Sequence, residues 1–477
     1  MRTKASAAEG RLALALMAGT FVLLAWGVLA FGAVYPWAYT PLLIACLALG
    51  LASFTLDSPA GVNWRMALAI LAIAAAGGLQ LAPLTPATLK WLSPATDHLV
   101  RQVDVGYANA GSAPHALSID PTSTWRGMAF LASFGLLLIG LARILTRRQV
   151  GRLAAYVTVL GAVVALVGIV QRGTFAGKIY GFWQPLMPST PFGPFVNRNH
   201  FAGWMLMALP LAVGFFCGLV ARGMRDRGGP QRDDRAAVPW RSRLLWFSSP
   251  DASRAGMVGF AIVAMGLSLI LSMSRSGLCG LVTALLLAGW FVARNRTARP
   301  QRAIAGGYLF LLIVGSGASL WAGLDPVVSR FTDPGAHDLG GRLPIWAETA
   351  RIIRDVPLGG TGLNTYGTAT LLYEATPRAG HLREAHSDYL QLAAEGGLLL
   401  GIPILVAIVV FVREVYRRFR DASDEVTVYW VRTGAVTGLV AIALQSIGEF
   451  SLQMPGNAAL FTVLCAIAIH KPGAHLS

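Results

Sequence analysis

Charge is what this sequence has least of. Asp, Glu, Lys and Arg make up 13% of its 477 residues, against about 25% in a typical soluble domain. That shortage excludes an ordinary soluble enzyme. Cysteine is scarce too: Cys46, Cys217, Cys279 and Cys465 all sit inside apolar runs, with no CxxC and no metal-ligand spacing. This excludes a disulfide framework and leaves the four as small core residues. There is no internal repeat, no low-complexity tract and no HExxH, and the Gly359-Gly360-Thr361-Gly362 turn lacks the Lys-Ser/Thr of a P-loop.

What the sequence does have is apolar length. Hydrophobic residues are 55% of the chain. They fall in blocks of roughly 16 to 23, enough to cross about 30 Å of hydrocarbon as helix. In lipid each backbone polar group must pair within its own segment, so the blocks are helices. Twelve spans are expected, near 12–34, 40–56, 66–83, 127–142, 153–170, 200–221, 255–273, 277–293, 303–323, 398–412, 433–448 and 457–470. The first is too long for a signal-peptide core and reads as a retained anchor. With both termini in the cytoplasm, the cytoplasmic segments hold 26 of the 39 Lys and Arg residues, although they are the shorter share of the loops. This is the positive-inside pattern. It makes clusters such as Arg147-Arg148 and Arg413, Arg417, Arg418 and Arg420 topology anchors, and the net charge of +16 does not signal nucleic acid.

Three loops are long. Residues 222–254 form a basic cytoplasmic linker with a Gly228-Gly229-Pro230 break. Residues 84–126 and 324–397 fall outside. In the larger outer loop, Gly341-Arg342-Leu343-Pro344 is expected to open a helix, with Pro near its first turn. Leu343, Trp346, Ala350 and Ile353 would be its apolar stripe, Glu348, Arg351 and Asp355 its polar one, and Pro357 its end. A second helix is expected from about Arg383 to Ala394, carrying His386 and stopping at Gly396-Gly397.

Ionisable residues are nearly absent from the spans, which argues against an ion-coupled transporter. Three polar positions stand out on the outer side. Arg275 lies in Ser274-Arg275-Ser276-Gly277, a link between two spans so short that it must sit at the membrane surface, against the charge bias. An arginine there either snorkels to lipid phosphate or grips a bound phosphate in a bidentate fork. Arg342 is either a surface cation or one side of a diphosphate cradle completed by the amides of a helix end. His386, flanked by Glu384 and Asp388, is either a polar surface residue or a general base, since histidine side chains titrate near neutral pH. His381 is five residues away, poor spacing for a shared metal, and no Asp-x-Asp occurs on the outer side.

Four stretches carry a resemblance: Gly193-Pro194-Phe195-Val196-Asn197-Arg198-Asn199-His200-Phe201-Ala202; Ser274-Arg275-Ser276-Gly277; Gly341-Arg342-Leu343-Pro344-Ile345-Trp346 with Asp355-Val356-Pro357-Leu358-Gly359-Gly360-Thr361-Gly362; and His386-Ser387-Asp388-Tyr389-Leu390-Gln391-Leu392 with Glu395-Gly396-Gly397. In this order the chain resembles the O-antigen ligase and O-antigen polymerase superfamily of bacterial envelope glycosyltransferases, most strongly over 190–412. The resemblance implies an all-α polytopic fold of the lipid-donor glycosyltransferase (GT-C-like) class. It implies transfer, with inversion and without metal or cofactor, of a glycan from a polyprenyl (undecaprenyl) diphosphate to a glycan or lipid A-core acceptor. The reaction would take place at the periplasmic face of the bacterial inner membrane. Arg275 and Arg342 would hold the diphosphate and His386 would stand at the reacting centre. Arg198 replaces a proline common in relatives and either adds a phosphate contact or does nothing.

The expectation is therefore a single membrane domain over 1–477 whose partners are a lipid-linked glycan donor, an acceptor and membrane lipids. Polymerase, ligase and protein O-oligosaccharyltransferase remain open within the family. The rival from another class is a polytopic transporter or lipid flippase, which would need a polar mid-membrane path or paired broken helices.

Overall fold

The computed structural model describes residues 2–57, 61–110, 113–186, 189–225, 250–294, 338–375, 380–421 and 425–471. Sixteen α-helices are found among them. In chain order, α1 is Arg2–Leu29, α2 Pro36–Ser53 and α3 Trp64–Leu79. The short α4 (Pro86–Leu92), α5 (Pro94–Val103) and α6 (Val105–Ala110) follow, then α7 (Pro121–Ile144), α8 (Arg147–Thr174), α9 (Arg198–Arg225), α10 (Pro250–Leu271) and α11 (Arg275–Arg294). The rest are α12 (Asp338–Asp355), α13 (Tyr366–Tyr373), α14 (Asp388–Arg420), α15 (Val426–Gln445) and α16 (Pro455–Ile469). Among the described residues, eight helices are long and apolar enough to cross a membrane, and α3 and α16 are shorter apolar helices. Eleven of the twelve expected spans coincide with helices. The span expected at 303–323, most of the linker at 222–254 and the start of the outer loop at 324–337 lie outside the described residues.

The bundle is inverted relative to a soluble protein on its flanks. Ile44, Val159, Phe260 and Leu405 are each more than 60% exposed, as side chains facing lipid are. At the centre, α9 and α15 approach until their backbones touch. A Cβ on Gly214 would lie 3.0 Å from the Cα of Gly434. Small residues at such crossings let helices pack by dispersion where no hydrophobic drive exists.

One end of the bundle carries a helical cap. A two-stranded ribbon pairs Pro83–Leu84 with His115–Ala116, and α4–α6 lie between its strands in the chain. Their Leu89, Leu99, Val100 and Tyr107 share a second core with Ile352, Val356, Tyr366, Ala385 and Ala394 from later in the chain. Asp120 caps α7 by accepting from Ser123 N at 3.1 Å, with Pro121 at the first helical position. The opposite end is basic. Glu414 takes Arg417 at 2.6 Å, Arg418 at 3.2 Å and Arg65 at 3.5 Å, and the buried Arg432 donates to the carbonyl of His470 at 2.9 Å.

The glycine turn after Pro357 has a structural purpose. Its backbone runs against the break in α14, where Thr361 N donates to Ala394 O, Gly362 N to Glu395 O, Leu398 N to Pro357 O and Leu399 N to Leu358 O, at 2.9–3.0 Å. Gly360 (φ +65°) and Gly397 (φ +53°) hold left-handed conformations at this crossing, and a Cβ on Gly360 would collide with the backbone of Glu395. Buried Gln80 locks the crossing, donating to Gly359 O at 2.7 Å and Glu395 O at 2.8 Å and accepting from Leu363 N at 3.1 Å. Gly360→Ala is expected to destabilise the protein by at least about 1–2 kcal/mol from the left-handed backbone alone. Thermal unfolding in detergent checks this, and an unchanged midpoint would refute the account of the turn.

Three local expectations are corrected. First, α12 is already running at Asp338, so Arg342 lies a turn inside it, beyond the free amides of its end. Second, its buried face is Ile345, Thr349, Ile352 and Val356, whereas Leu343 and Ala350 are exposed and Glu348 is buried. Polar partners choose that face: Thr349 bonds Tyr366 Oη at 2.7 Å and Glu348 accepts from Ala375 N at 3.1 Å. Third, His386 precedes its helix. Residues 381–385 are non-helical, Ser387 caps α14 by accepting from Leu390 N at 3.4 Å, and Gly396-Gly397 kinks α14 without ending it.

Candidate functional site

The site lies under the cap, where α9 and α11 begin, α15 ends and residues 385–388 lead into α14. Its centre is Glu449, in the turn between α15 and α16. One carboxylate oxygen, Oε1, accepts from three directions: Arg342 Nη2 at 2.6 Å, Asn199 Nδ2 at 2.7 Å and Ser276 Oγ at 3.4 Å. The Glu449 side chain is 1% exposed and that of Arg342 12%. A charged pair this enclosed is shielded from salt and water, and its geometry is correspondingly firm.

Local sequence explains each arm. Asn197 Oδ1 accepts from Asn199 N at 2.8 Å, fixing the turn into α9. Gln445 and Ser451 both donate to the Asn199 carbonyl, at 3.0 and 3.3 Å, and Asn457 donates to the His200 carbonyl at 3.0 Å. The Ser272–Ser274 link between α10 and α11 has Met273 at φ +57°, so the chain reverses within three residues and Ser276 reaches Glu449. Asp388 ties the His386 segment to the same turn: its N–H donates to the carbonyls of Ser446 and Glu449, and its carboxylate accepts from Ser446 Oγ at 2.8 Å and Gln453 Nε2 at 3.1 Å.

His386 has φ +50°, costly for any residue with a Cβ and held here by its neighbours. The Ala385 N–H is taken by Gln391 Oε1 at 3.0 Å and the Ala385 carbonyl by Trp346 Nε1 at 3.1 Å. The imidazole meets the edge of Phe450 at 5.0 Å between ring centres, and His200 meets the same ring at 4.7 Å.

The structure thus gathers the expected residues around Glu449-Phe450. Arg342 is bonded to Glu449, His386 packs on Phe450, and Arg275 opens α11 beside Ser276. Arg198 opens α9 beside Asn199 and is half-buried. Sequence reasoning missed Glu449, Phe450 and the role of Asn199. The available signal was an acid between two apolar blocks, in Gly448-Glu449-Phe450-Ser451, since a carboxylate at bilayer depth needs a partner. Among the described residues, no group of three or more His, Cys, Asp and Glu could hold a metal ion.

Chemically the arrangement offers guanidinium groups able to grip an anion, an imidazole near them, and a carboxylate that orients one guanidinium. No curated protein matches the chain in sequence. Residues 260–405 match the family model described as O-antigen ligase. That stretch holds Arg275, Arg342 and His386, and over it this integral membrane protein is similar to the O-antigen ligase superfamily.

Proposed function

We propose that this protein is a membrane glycosyltransferase that moves a glycan from a polyprenyl diphosphate to an acceptor hydroxyl at the periplasmic face of the inner membrane. The observation that carries the proposal is the meeting of Arg342, the Arg275-Ser276 turn, Asn199 and His386 around Glu449-Phe450 at one end of the bundle. The basic residues at the other end support a periplasmic site, because cations favour the cytoplasmic side.

In this mechanism Arg275 and Arg342 grip the diphosphate oxygens. Glu449 orients the Arg342 fork, and Arg198, which opens α9 next to Asn199, would add a further phosphate contact. The acceptor oxygen attacks the anomeric carbon from the side opposite the diphosphate. The new C–O bond forms as the bond to the phosphate oxygen breaks, and configuration inverts. His386 takes the acceptor proton. The arginines meet charge as it builds on the leaving diphosphate, the kind of stabilisation that is often the largest catalytic contribution. The lipid diphosphate leaves readily, so the reaction needs no nucleotide energy outside the cytoplasm.

The test is reconstitution in vesicles with a polyprenyl-diphosphate glycan and candidate acceptors. Glycan transfer is expected, in one of three forms on a gel. A ladder identifies a polysaccharide polymerase, a single shifted lipid A-core band a ligase, and a shifted protein band an oligosaccharyltransferase. Lipid crossing the vesicle without any transfer would replace this function with a transporter or flippase.

A further inference from the structure

Beside the Glu449 site, under the same cap, is an open cleft of about 330 Å³. Its walls come from the start of α7, the start of α13, the non-helical 381–385 segment, the first turns of α14 and Gln453. They are polar: Arg126, Asn364, Thr368, Glu384, Gln391 and Gln453 among them. Pockets for drug-like or lipid ligands are mostly apolar with a few polar groups, and this one is the reverse. An acyl chain would leave these carboxylate, amide and guanidinium groups desolvated and unbonded. A bare anion would suit Arg126 and Arg383 but face the Glu384 carboxylate. A sugar ring suits all of them, because each hydroxyl both donates and accepts.

Two observations make this a built site. The first is its floor. Glu395 is buried and fully engaged, accepting from Asn364 N at 2.8 Å, Tyr366 N at 3.1 Å and Gln391 Nε2 at 3.1 Å. Asn364 stands at φ +59° with its side-chain amide donating to Ser123 O at 3.2 Å. The floor is therefore rigid, while Glu384 makes no hydrogen bond to any described residue. Burial pushes the Glu384 carboxyl above the usual range, with Arg383 opposing. The second is position. Glu384 and His386 are two residues apart, so their Cα atoms are at most about 7 Å apart. Gln453 bonds both Gln391 in the cleft and Asp388 in the site.

We infer that this cleft is the acceptor subsite: it binds the hydroxyl-bearing sugar ring that receives the glycan and presents one hydroxyl to His386, while the diphosphate is held at Arg275 and Arg342. This rests on the glycosyltransferase function proposed above. It adds that donor and acceptor are recognised by separate residue sets on either side of the 384–388 segment, so acceptor choice is written in the cleft.

The experiment uses the full chain in nanodiscs and saturation-transfer NMR with three soluble probes: methyl glucoside, N-acetylglucosamine and glucuronate. At least one probe should give a saturation-transfer signal. Glu384→Gln and the exposed Arg126→Gln, tested separately in case one fails to fold, should each weaken it at least ten-fold, and Arg342→Ala should leave it intact. No signal from any probe, or equal signals from wild type and both cleft variants, overturns the inference. In the transfer assay the same cleft variants should raise the acceptor KM at least ten-fold and leave the donor KM unchanged. Transfer with an unaltered acceptor KM would remove the subsite and keep the enzyme, whereas sugar binding by a chain that never transfers would remove the enzyme and keep the sugar site.

Discussion

Glu449→Ala should reduce glycan transfer at least about 100-fold, although Glu449 is proposed to touch neither donor nor acceptor. Its carboxylate is the shared acceptor for Arg342, Asn199 and Ser276. Removing one member of an enclosed ion pair costs about 3–5 kcal/mol. If that cost falls on the arrangement of Arg342, it corresponds to roughly 10²- to 10⁴-fold in rate, at about 1.4 kcal/mol per decade. Glu449→Gln preserves the shape and one acceptor oxygen while losing the charge, and should retain more activity than Glu449→Ala. The positioning role has its own signature. Donor KM should rise in Glu449→Ala as it does in Arg342→Ala, and the double variant should be little worse than Arg342→Ala alone, because the two act as a unit. Arg342→Lys should also fail, since an ammonium cannot reproduce the fork. Wild-type transfer by a folded Glu449→Ala protein would remove the carboxylate from the site.

The second large effect is at His386. Loss of a general base costs typically about 10²- to 10⁴-fold, and that range is expected for transfer by His386→Asn with donor affinity retained. Asparagine is the informative replacement because His386 sits at φ +50°. Asparagine tolerates the left-handed region better than alanine does, so a drop in rate is not confused with backbone strain. The paired measurements are kcat for transfer and the thermal midpoint. An unchanged midpoint with lost kcat is the expected result, and full activity in the variant would assign the acceptor proton to another group.

The helices were legible because hydrocarbon thickness imposes a length that apolar blocks reveal directly. The α10–α11 reversal was equally plain, since two spans with three residues between them have no other geometry. The centre of the site was not legible. Glu449 lies 107 residues from Arg342, 173 from Ser276 and 250 from Asn199, and no local period joins residues so far apart. His386 was misplaced on a helix because Leu382, Ala385, Tyr389 and Leu392 keep helical spacing through a stretch the chain does not coil. The Ser387 cap and the Asp388 bonds to the Glu449 turn decide the matter there. Along α12 the apolar pattern allowed two faces, and only the partners of Glu348 and Thr349 select between them.

The spread of those partners bears on biogenesis. A ribosome delivers Asn199, then Ser276, then Arg342, and only afterwards the carboxylate on which all three converge. The cluster therefore closes only once the α15–α16 hairpin has been made and has entered the bilayer. In the proposed mechanism, the growing protein thus inserts helix by helix before its donor site is assembled.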